Sequence, residues 1–160
     1  MTDSAVTHAA PVGPRFALPI VPRYAEIDQQ GVVFNGHYLT WFDEAFAGFL
    51  QDAGVPYPDL IASGRDVQLV HTEIDYGLPV RWRDSVRVAV RCECVGSTSF
   101  TLGFDVLRRA GQSDELIAVQ GRTVYVVVST RDWTKRPIPE PLRAALVADF
   151  GSTTFPDSRP

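Results

Sequence analysis

The sequence predicts an α+β fold in which a curled five-stranded antiparallel sheet wraps around one long central helix. Apolar residues recur at helical spacing from Tyr38 onward, and after Gly64 the period changes to two. Mainly short turns join the four later strands, and such connections permit only antiparallel pairing. A sheet of this length buries the apolar stripe of the helix by curling around it.

The first strand is predicted near residues 16–24, where the two prolines favour a sheet edge or a bulge over an interior strand. The helix after it is about four turns long, and Gly54 followed by Pro56 ends it. A short second helix is predicted at residues 57–62. The stripe of the long helix is mostly aromatic and is formed by Tyr38, Trp41, Phe42, Ala45, Phe46 and Phe49.

The later strands follow from alternation. In residues 70–76 one face is Val70, Thr72, Ile74 and Tyr76, and in residues 86–94 the apolar face is even-numbered. Residues 100–106 continue the alternation after a turn. Residues 116–128 become apolar on both faces near their end, as is typical of a central strand. A short C-terminal helix is predicted from Pro137 to Leu146.

Cys92 and Cys94 are the two cysteines of the chain. Their spacing on a strand predicts that both side chains point to one face. Without nearby cysteine or histidine partners, buried thiols in a reducing compartment are favoured over a disulfide or a zinc site.

Composition limits the domain count and the partner. A chain of 160 residues with 45% hydrophobic residues forms one domain, predicted at residues 15–150, with flexible tails at 1–14 and 151–160. The net charge is −4 and the basic residues are scattered, which argues against a nucleic-acid partner. The sequence has neither a signal-peptide pattern nor a run of about 18 apolar residues, so we expect a cytoplasmic protein without a membrane span.

The candidate site lies between the first strand and the long helix. Asp28 stands before a turn at Gly31, and Asn35–Gly36 opens the helix. Asp28 could face a ligand that the helix start also binds. The alternative is that its side chain only closes an Asx turn. The local residues leave both interpretations open.

The segment Tyr24-x-x-x-Asp28-x-x-Gly31-Val-Val-Phe-x-x-x-Tyr38-x-x-Trp-Phe-Asp-Glu-Ala45 resembles the motif of the 4-hydroxybenzoyl-CoA thioesterase-like acyl-CoA thioesterases, which have the hotdog fold. Similar stretches follow in the same order at residues 96–99, 121–128 and 135–140. The resemblance covers roughly residues 16–147, and several ordered matches are more specific than one short motif.

The resemblance implies that Asp28 is the catalytic carboxylate and that backbone amides near Asn35 and Gly36 bind the thioester carbonyl oxygen. Many relatives carry His-Ala-Asn where this chain has Asn35-Gly36-His37. A role for a histidine at position 35 therefore does not transfer. Asn35 is expected to cap the helix instead, which leaves the amides free.

Substrate contacts are expected from Tyr24, Gly31, Val33, Phe34, His37 and the basic loop residues Arg131, Lys135 and Arg136. For His37, substrate orientation and simple packing at the helix start are equally compatible with the sequence. The basic loop either meets the phosphates of coenzyme A or is solvated. No metal or prosthetic group is implied, since coenzyme A enters as part of the substrate. The fold implies a homodimer, often doubled into a homotetramer.

The resemblance predicts an acyl-CoA thioesterase. Two alternatives stay open: an acyl-thioester hydratase or dehydratase, which His37 would serve, and a non-catalytic acyl-CoA binding protein. The sequence does not fix the acyl group.

Overall fold

A computed structural model describes residues 16–150, so the predicted tails at 1–14 and 151–160 lie outside the described residues. The helices and strands occur in the predicted order: one strand, a long and a short helix, four strands and a final helix. A 3₁₀ turn at Tyr24–Glu26 follows the first strand. The bounds are β1 Phe16–Ile20, α1 His37–Asp52, α2 Tyr57–Ala62, β2 Arg65–Tyr76, β3 Val86–Val95, β4 Ser99–Arg108, β5 Leu116–Ser129 and α3 Glu140–Phe150.

The five strands form one antiparallel sheet in the order β1-β3-β4-β5-β2. β1 lies at one edge, as its prolines predicted, because a residue without an N–H group cannot complete an interior ladder. β5 lies inside the sheet between β4 and β2, which confirms the prediction from its apolar character. β2 forms the other edge.

The core lies between the sheet and the aromatic stripe of α1. Phe42 stacks on Phe104 of β4 with ring centroids 4.7 Å apart, and Phe46 stacks on Tyr125 of β5 at 4.6 Å. The Phe42 ring lies over Gly121, where an added Cβ would come within 2.5 Å of the Phe42 Cζ atom. The helix therefore packs closely on the sheet because β5 has no side chain at that point.

The predicted face of Val70 in β2 needs correction. The strand begins at Arg65, directly after Gly64, where the change of period was predicted, and its first residues continue the ladder with β5 up to Ser129. The register shifts between Leu69 and His71, so Val70 has no partner on β5 and is 57% exposed. This bulge moves Val70 off the apolar face to which alternation assigned it.

A second bulge corrects the prediction for the cysteines. The register of β3 shifts between Cys92 and Cys94. Cys92 is fully buried, as predicted, whereas Cys94 is exposed. On a regular strand, residues that are two positions apart point to the same face. The residue inserted at the bulge changes this alternation, so Cys92 and Cys94 no longer share a face.

The final helix begins at Glu140 rather than at Pro137. Ile138 between the two prolines donates its N–H to the carbonyl of Ser97 at 3.0 Å, which keeps this segment extended against the β3–β4 turn. None of the helices in the described part of the chain is long and apolar enough to span a membrane.

Candidate active site at the start of the long helix

The turn after the 3₁₀ segment fixes Asp28. Ile27 forms an isolated bridge with Val33, and the N–H of Gly31 donates to the Asp28 carbonyl at 3.0 Å. Gly31 has a φ of +74°, which a glycine adopts without strain. The Oδ1 atom of Asp28 accepts the N–H of Gln30 at 2.8 Å. The Asx turn is thus present, and within residues 16–150 the second carboxylate oxygen has no hydrogen-bond partner.

The start of α1 differs from the prediction at Asn35. The N-cap residue is Gly36, and no side chain caps the helix, so Asn35 does not have the capping role expected of it. The backbone at Gly36 is already helical, with a φ of −70° and a ψ of −23°, whereas a side-chain cap needs extended backbone at the N-cap. The N–H of His37 donates to the carbonyl of Phe34 at 3.0 Å. Among the described residues, no acceptor bonds the N–H groups of Asn35 and Gly36.

Two tyrosines that were not predicted as site residues, Tyr38 and Tyr76, border this helix start. The hydroxyl of Tyr76, at the end of β2, donates to the Asn35 carbonyl at 3.2 Å, and its ring lies 5.8 Å from that of Tyr38. Burial raises the pKa of Tyr38 to about 12, and the nearby charges of Tyr76 and Asp28 add to the rise. Tyr38 therefore lies near both Tyr76 and Asp28. The alternation that placed Tyr76 on the helix-facing side of β2 was a usable signal for it.

A buried carboxylate, Glu26, connects the Asp28 turn to α1. Its Oε1 atom accepts the Trp41 Nε1–H at 3.2 Å and an Arg23 guanidinium N–H at 2.8 Å, and Oε2 accepts the Arg23 backbone N–H at 2.8 Å. Burial alone would raise the pKa of Glu26, but these hydrogen bonds outweigh burial and hold the pKa below its ordinary value. Its carbonyl also accepts the N–H of Phe34 at 2.8 Å. The spacing Arg23-x-x-Glu26 was the sequence signal for this link.

The other residues predicted near Asp28 have different environments. Tyr24 is 77% exposed, and Phe34 is half exposed with its ring edge-on to His37 at 5.9 Å. His37 thus contacts Phe34 at the helix start, and its role in orienting a substrate stays a prediction. Val33 is 3% exposed and belongs to the core, so its side chain does not form the substrate contact expected of it.

The basic loop lies far from Asp28 within one chain. Thr130 donates its N–H to the carbonyl of Gly64, beside the first residue of β2, whereas Tyr76, the last residue of β2, donates to the Asn35 carbonyl next to the start of α1. The twelve residues of β2 span about 35 Å at the usual rise per residue. One protomer therefore does not bring its loop to its own Asp28. The loop residues are Arg131 and Lys135, which are exposed, and Arg136, which lies 3.5 Å from Asp132.

A cavity of about 300 Å³ lies at the opposite end of α1 from Asp28. It is mostly apolar and does not border the Asx turn. Within residues 16–150, no group of three or more His, Cys, Asp or Glu side chains could hold a metal ion. The lining residues of the cavity include Leu50, Val55, Leu60, Pro139 and Leu142.

Comparisons with known proteins relate the chain to one protein family. The family model described as the thioesterase-like superfamily matches residues 22–146. YneP of Bacillus subtilis (strain 168), provisionally named an acyl-CoA thioesterase, is 28% identical over 90 residues, which cover 56% of this chain and 65% of that protein. The match thus spans just under two thirds of this relative's length.

Two further matches extend over more of the chain. The 1,4-dihydroxy-2-naphthoyl-CoA hydrolase of Synechocystis sp. (strain ATCC 27184 / PCC 6803 / Kazusa) is 24% identical over 123 residues, which cover 76% of this chain and 87% of that protein. A crystal structure of a Pseudomonas aeruginosa protein superposes with a TM-score of 0.76 and 27% identity, covering 85% of this chain and 92% of the other.

Proposed function

Because this chain belongs to the thioesterase-like superfamily and has the hotdog fold, we propose that it hydrolyses an acyl-CoA thioester to the free acid and coenzyme A. Relatives named as a CoA-thioester hydrolase and, provisionally, as an acyl-CoA thioesterase support this reaction class. The observation that carries the proposal is the juxtaposition of a carboxylate and a helix start. Asp28 has one oxygen without a hydrogen bond, and the N–H groups of Asn35 and Gly36 have no acceptor among residues 16–150.

Asp28 acts either as the nucleophile or as the general base that activates a water molecule. The bond from Gln30 orients its Oδ1 atom, so the Asx turn and the catalytic role are compatible. The other oxygen either removes a proton from water, whose oxygen then attacks the carbonyl carbon, or attacks that carbon directly. Thiolate is a good leaving group and departs with the electrons of the carbon–sulfur bond, taking a proton to become coenzyme A. Direct attack leaves an anhydride that water cleaves.

The negative charge that develops on the carbonyl oxygen needs hydrogen-bond donors. The N–H groups of Asn35 and Gly36 lie at the start of α1, where the helix dipole also favours negative charge. Loss of one such donor typically removes about 3–4 kcal/mol of transition-state stabilisation. The absence of a side-chain cap at Gly36 therefore supports the proposal, because a cap would compete for donors at the helix start.

A homodimer would complete the site. β2 pairs with β5 on one side only, and its exposed residues include Leu69 and Tyr76. A second copy that pairs antiparallel along this edge would bring the first residue of one β2 near the last residue of the other. The loop carrying Arg131 and Lys135 would then lie at the Asp28 end of the partner, where it could bind the phosphates of coenzyme A. The same pairing would cover the apolar side chains at the edge.

Thiol release from a panel of short, medium, long and aromatic acyl-CoAs tests the function. Aromatic thioesters belong in the panel because a relative is named for one. We expect turnover of some members and a loss of about a hundredfold or more in kcat/KM for Asp28→Asn, with the fold retained. Asp52→Asn, at the other end of α1, removes the same charge and serves as the control.

Turnover that is unchanged in Asp28→Asn would contradict the role of Asp28. Tight binding of acyl-CoA without thiol release would instead favour a binding protein. Consumption of an enoyl-CoA without release of the thiol would favour a hydratase.

A further inference from the structure

An exposed aromatic cluster lies beside the candidate site. The ring of Tyr24 meets that of Trp82 edge-on, with centroids 5.5 Å apart, and the guanidinium carbon of Arg83 lies 4.3 Å from the Trp82 ring centroid. Tyr24 is 77% exposed and Trp82 is 48% exposed. Large apolar side chains usually bury more of their surface, so an exposed pair with a stacked cation indicates a binding surface.

The turn that presents Trp82 and Arg83 is held in place. The N–H of Arg81 donates to Asp84 Oδ2 at 2.8 Å, and the N–H of Asp84 donates back to the Arg81 carbonyl at 3.1 Å. Asp84 also pairs with Arg108 of β4 at 3.4 Å, which ties the turn to the sheet. Arg83 has a φ of +68°, a left-handed conformation that is uncommon for a residue with a side chain. The turn therefore has a defined backbone from which the Trp82 ring and the Arg83 guanidinium project.

This cluster adjoins the Asp28 turn. Val33 donates its N–H to the carbonyl of Val80 at 2.8 Å, which joins the loop after Asp28 to the loop that carries Trp82. Tyr24 belongs to the 3₁₀ turn that leads into Asp28. The cluster and the carboxylate thus belong to directly connected backbone segments.

The cluster carries two positive charges that are unpaired within residues 16–150, those of Arg81 and Arg83. Arg81 and Arg83 make no ion pair with any carboxylate of residues 16–150, in contrast to Arg23, Arg108 and Arg122. A surface that offers an aromatic ring, a stacked guanidinium and two free positive charges fits a ligand that is both planar and anionic.

We propose that Trp82 and Arg83 bind the adenine nucleotide end of coenzyme A. The purine stacks on the guanidinium and indole, and the 3′-phosphate beside the purine meets the charges of Arg81 and Arg83, whereas the diphosphate is left to the partner's loop with Arg131 and Lys135. The pantetheine arm then leads from this platform to the thioester at the start of α1. This inference rests on the proposed function for the identity of the ligand, but the platform can be tested without any turnover.

Calorimetric titration of the full chain with 3′,5′-ADP tests the platform directly. We expect Trp82→Ala and Arg83→Gly each to raise the Kd about fivefold or more, since each removes one stacking partner. Glycine adopts the backbone conformation of position 83 freely, so Arg83→Gly removes the guanidinium without adding strain. Arg122→Ala, whose exposed side chain pairs with Glu93 on β3, removes the same charge and should leave the Kd unchanged.

Hydrolysis supplies a second readout. With matched acyl-CoA and acyl-pantetheine thioesters, the variants should raise KM for the acyl-CoA and leave kcat and the acyl-pantetheine kinetics unchanged. A role that is merely structural would affect both substrates equally, and that result would overturn the inference.

The two proposals fail in different ways. Unchanged Kd values in Trp82→Ala and Arg83→Gly, or no binding of 3′,5′-ADP to the wild type, would overturn the nucleotide platform whatever the enzyme hydrolyses. Binding that depends on Trp82, together with no hydrolysis of either thioester, would support the platform and contradict the hydrolase.

Discussion

Replacement of Glu26 by alanine tests whether this buried carboxylate holds the Asp28 turn against the long helix. The side chain is 3% exposed and accepts hydrogen bonds from Trp41 and from both the backbone and the guanidinium of Arg23. Glu26→Ala removes all three acceptor contacts at once. Trp41 is 2% exposed, so its Nε1–H would be left without a partner inside the protein.

The magnitude follows from the donors that lose their acceptor. A buried donor without a partner costs about 1–3 kcal/mol, and the change orphans one, Trp41 Nε1–H, whereas the backbone N–H of the exposed residue Arg23 can bond to water instead. The Arg23 guanidinium adds little, because its side chain is 69% exposed and the ion pair is screened by solvent. The expected loss is therefore about 1–3 kcal/mol in the free energy of unfolding. Glu26→Gln keeps the volume and one acceptor oxygen, so its loss should be smaller.

Urea unfolding at several pH values measures both the loss and its origin. The pKa of Glu26 is lowered in the folded state, so its contribution is complete above the unfolded value, near 4.5, and declines as the pH falls below it. The stability difference between wild type and Glu26→Ala should thus shrink between pH 7 and pH 3. A loss below about 1 kcal/mol at pH 7, or a difference that does not change with pH, would refute this account of Glu26.

Three further outcomes are expected. Gly121→Ala should lower the free energy of unfolding by about 1–3 kcal/mol or more in urea titration, because the new methyl group overlaps the Phe42 ring; a neutral result would contradict the close packing of helix on sheet. Gly31→Ala should lose about 1 kcal/mol in the same assay through its φ of +74° alone, since no atom lies within 4 Å of the added Cβ; a larger loss would indicate a contact that the structure lacks. A disulfide reagent at pH 8 should label one thiol per folded chain and two after unfolding, because burial raises the pKa of Cys92 to about 12 while Cys94 is exposed; rapid labelling of both thiols would show that Cys92 is accessible.

Periodicity predicted most of the fold. The aromatic stripe of α1 and the apolar alternation of β3 and β4 gave both the type and the order of the elements, because burial on one face leaves a repeat in the sequence. The bulges at Val70 and between Cys92 and Cys94 were missed. One inserted residue changes which face a side chain occupies, and only the hydrogen bonds to the neighbouring strand reveal the insertion.

The site was predicted less completely. Asp28, Gly36 and the N–H groups at the helix start could be selected from the motif, because they are close together in the chain. Glu26 and Tyr76 were not, since one lies inside a 3₁₀ turn and the other comes from the far end of a distant strand. The expected cap at Asn35 failed because the helix starts one residue later than a cap from that side chain requires.

The sequence by itself determined the fold class, the family resemblance and the acid before the long helix, since these depend on local spacing and on repeats of apolar residues. Only the tertiary structure decided which groups meet at that acid and which do not. It joins Tyr76 to Asn35 across 41 positions and puts the Arg131 loop at the other end of β2. Contacts of this kind depend on strand register and on how the sheet curls around the helix, and neither leaves a repeat along the chain.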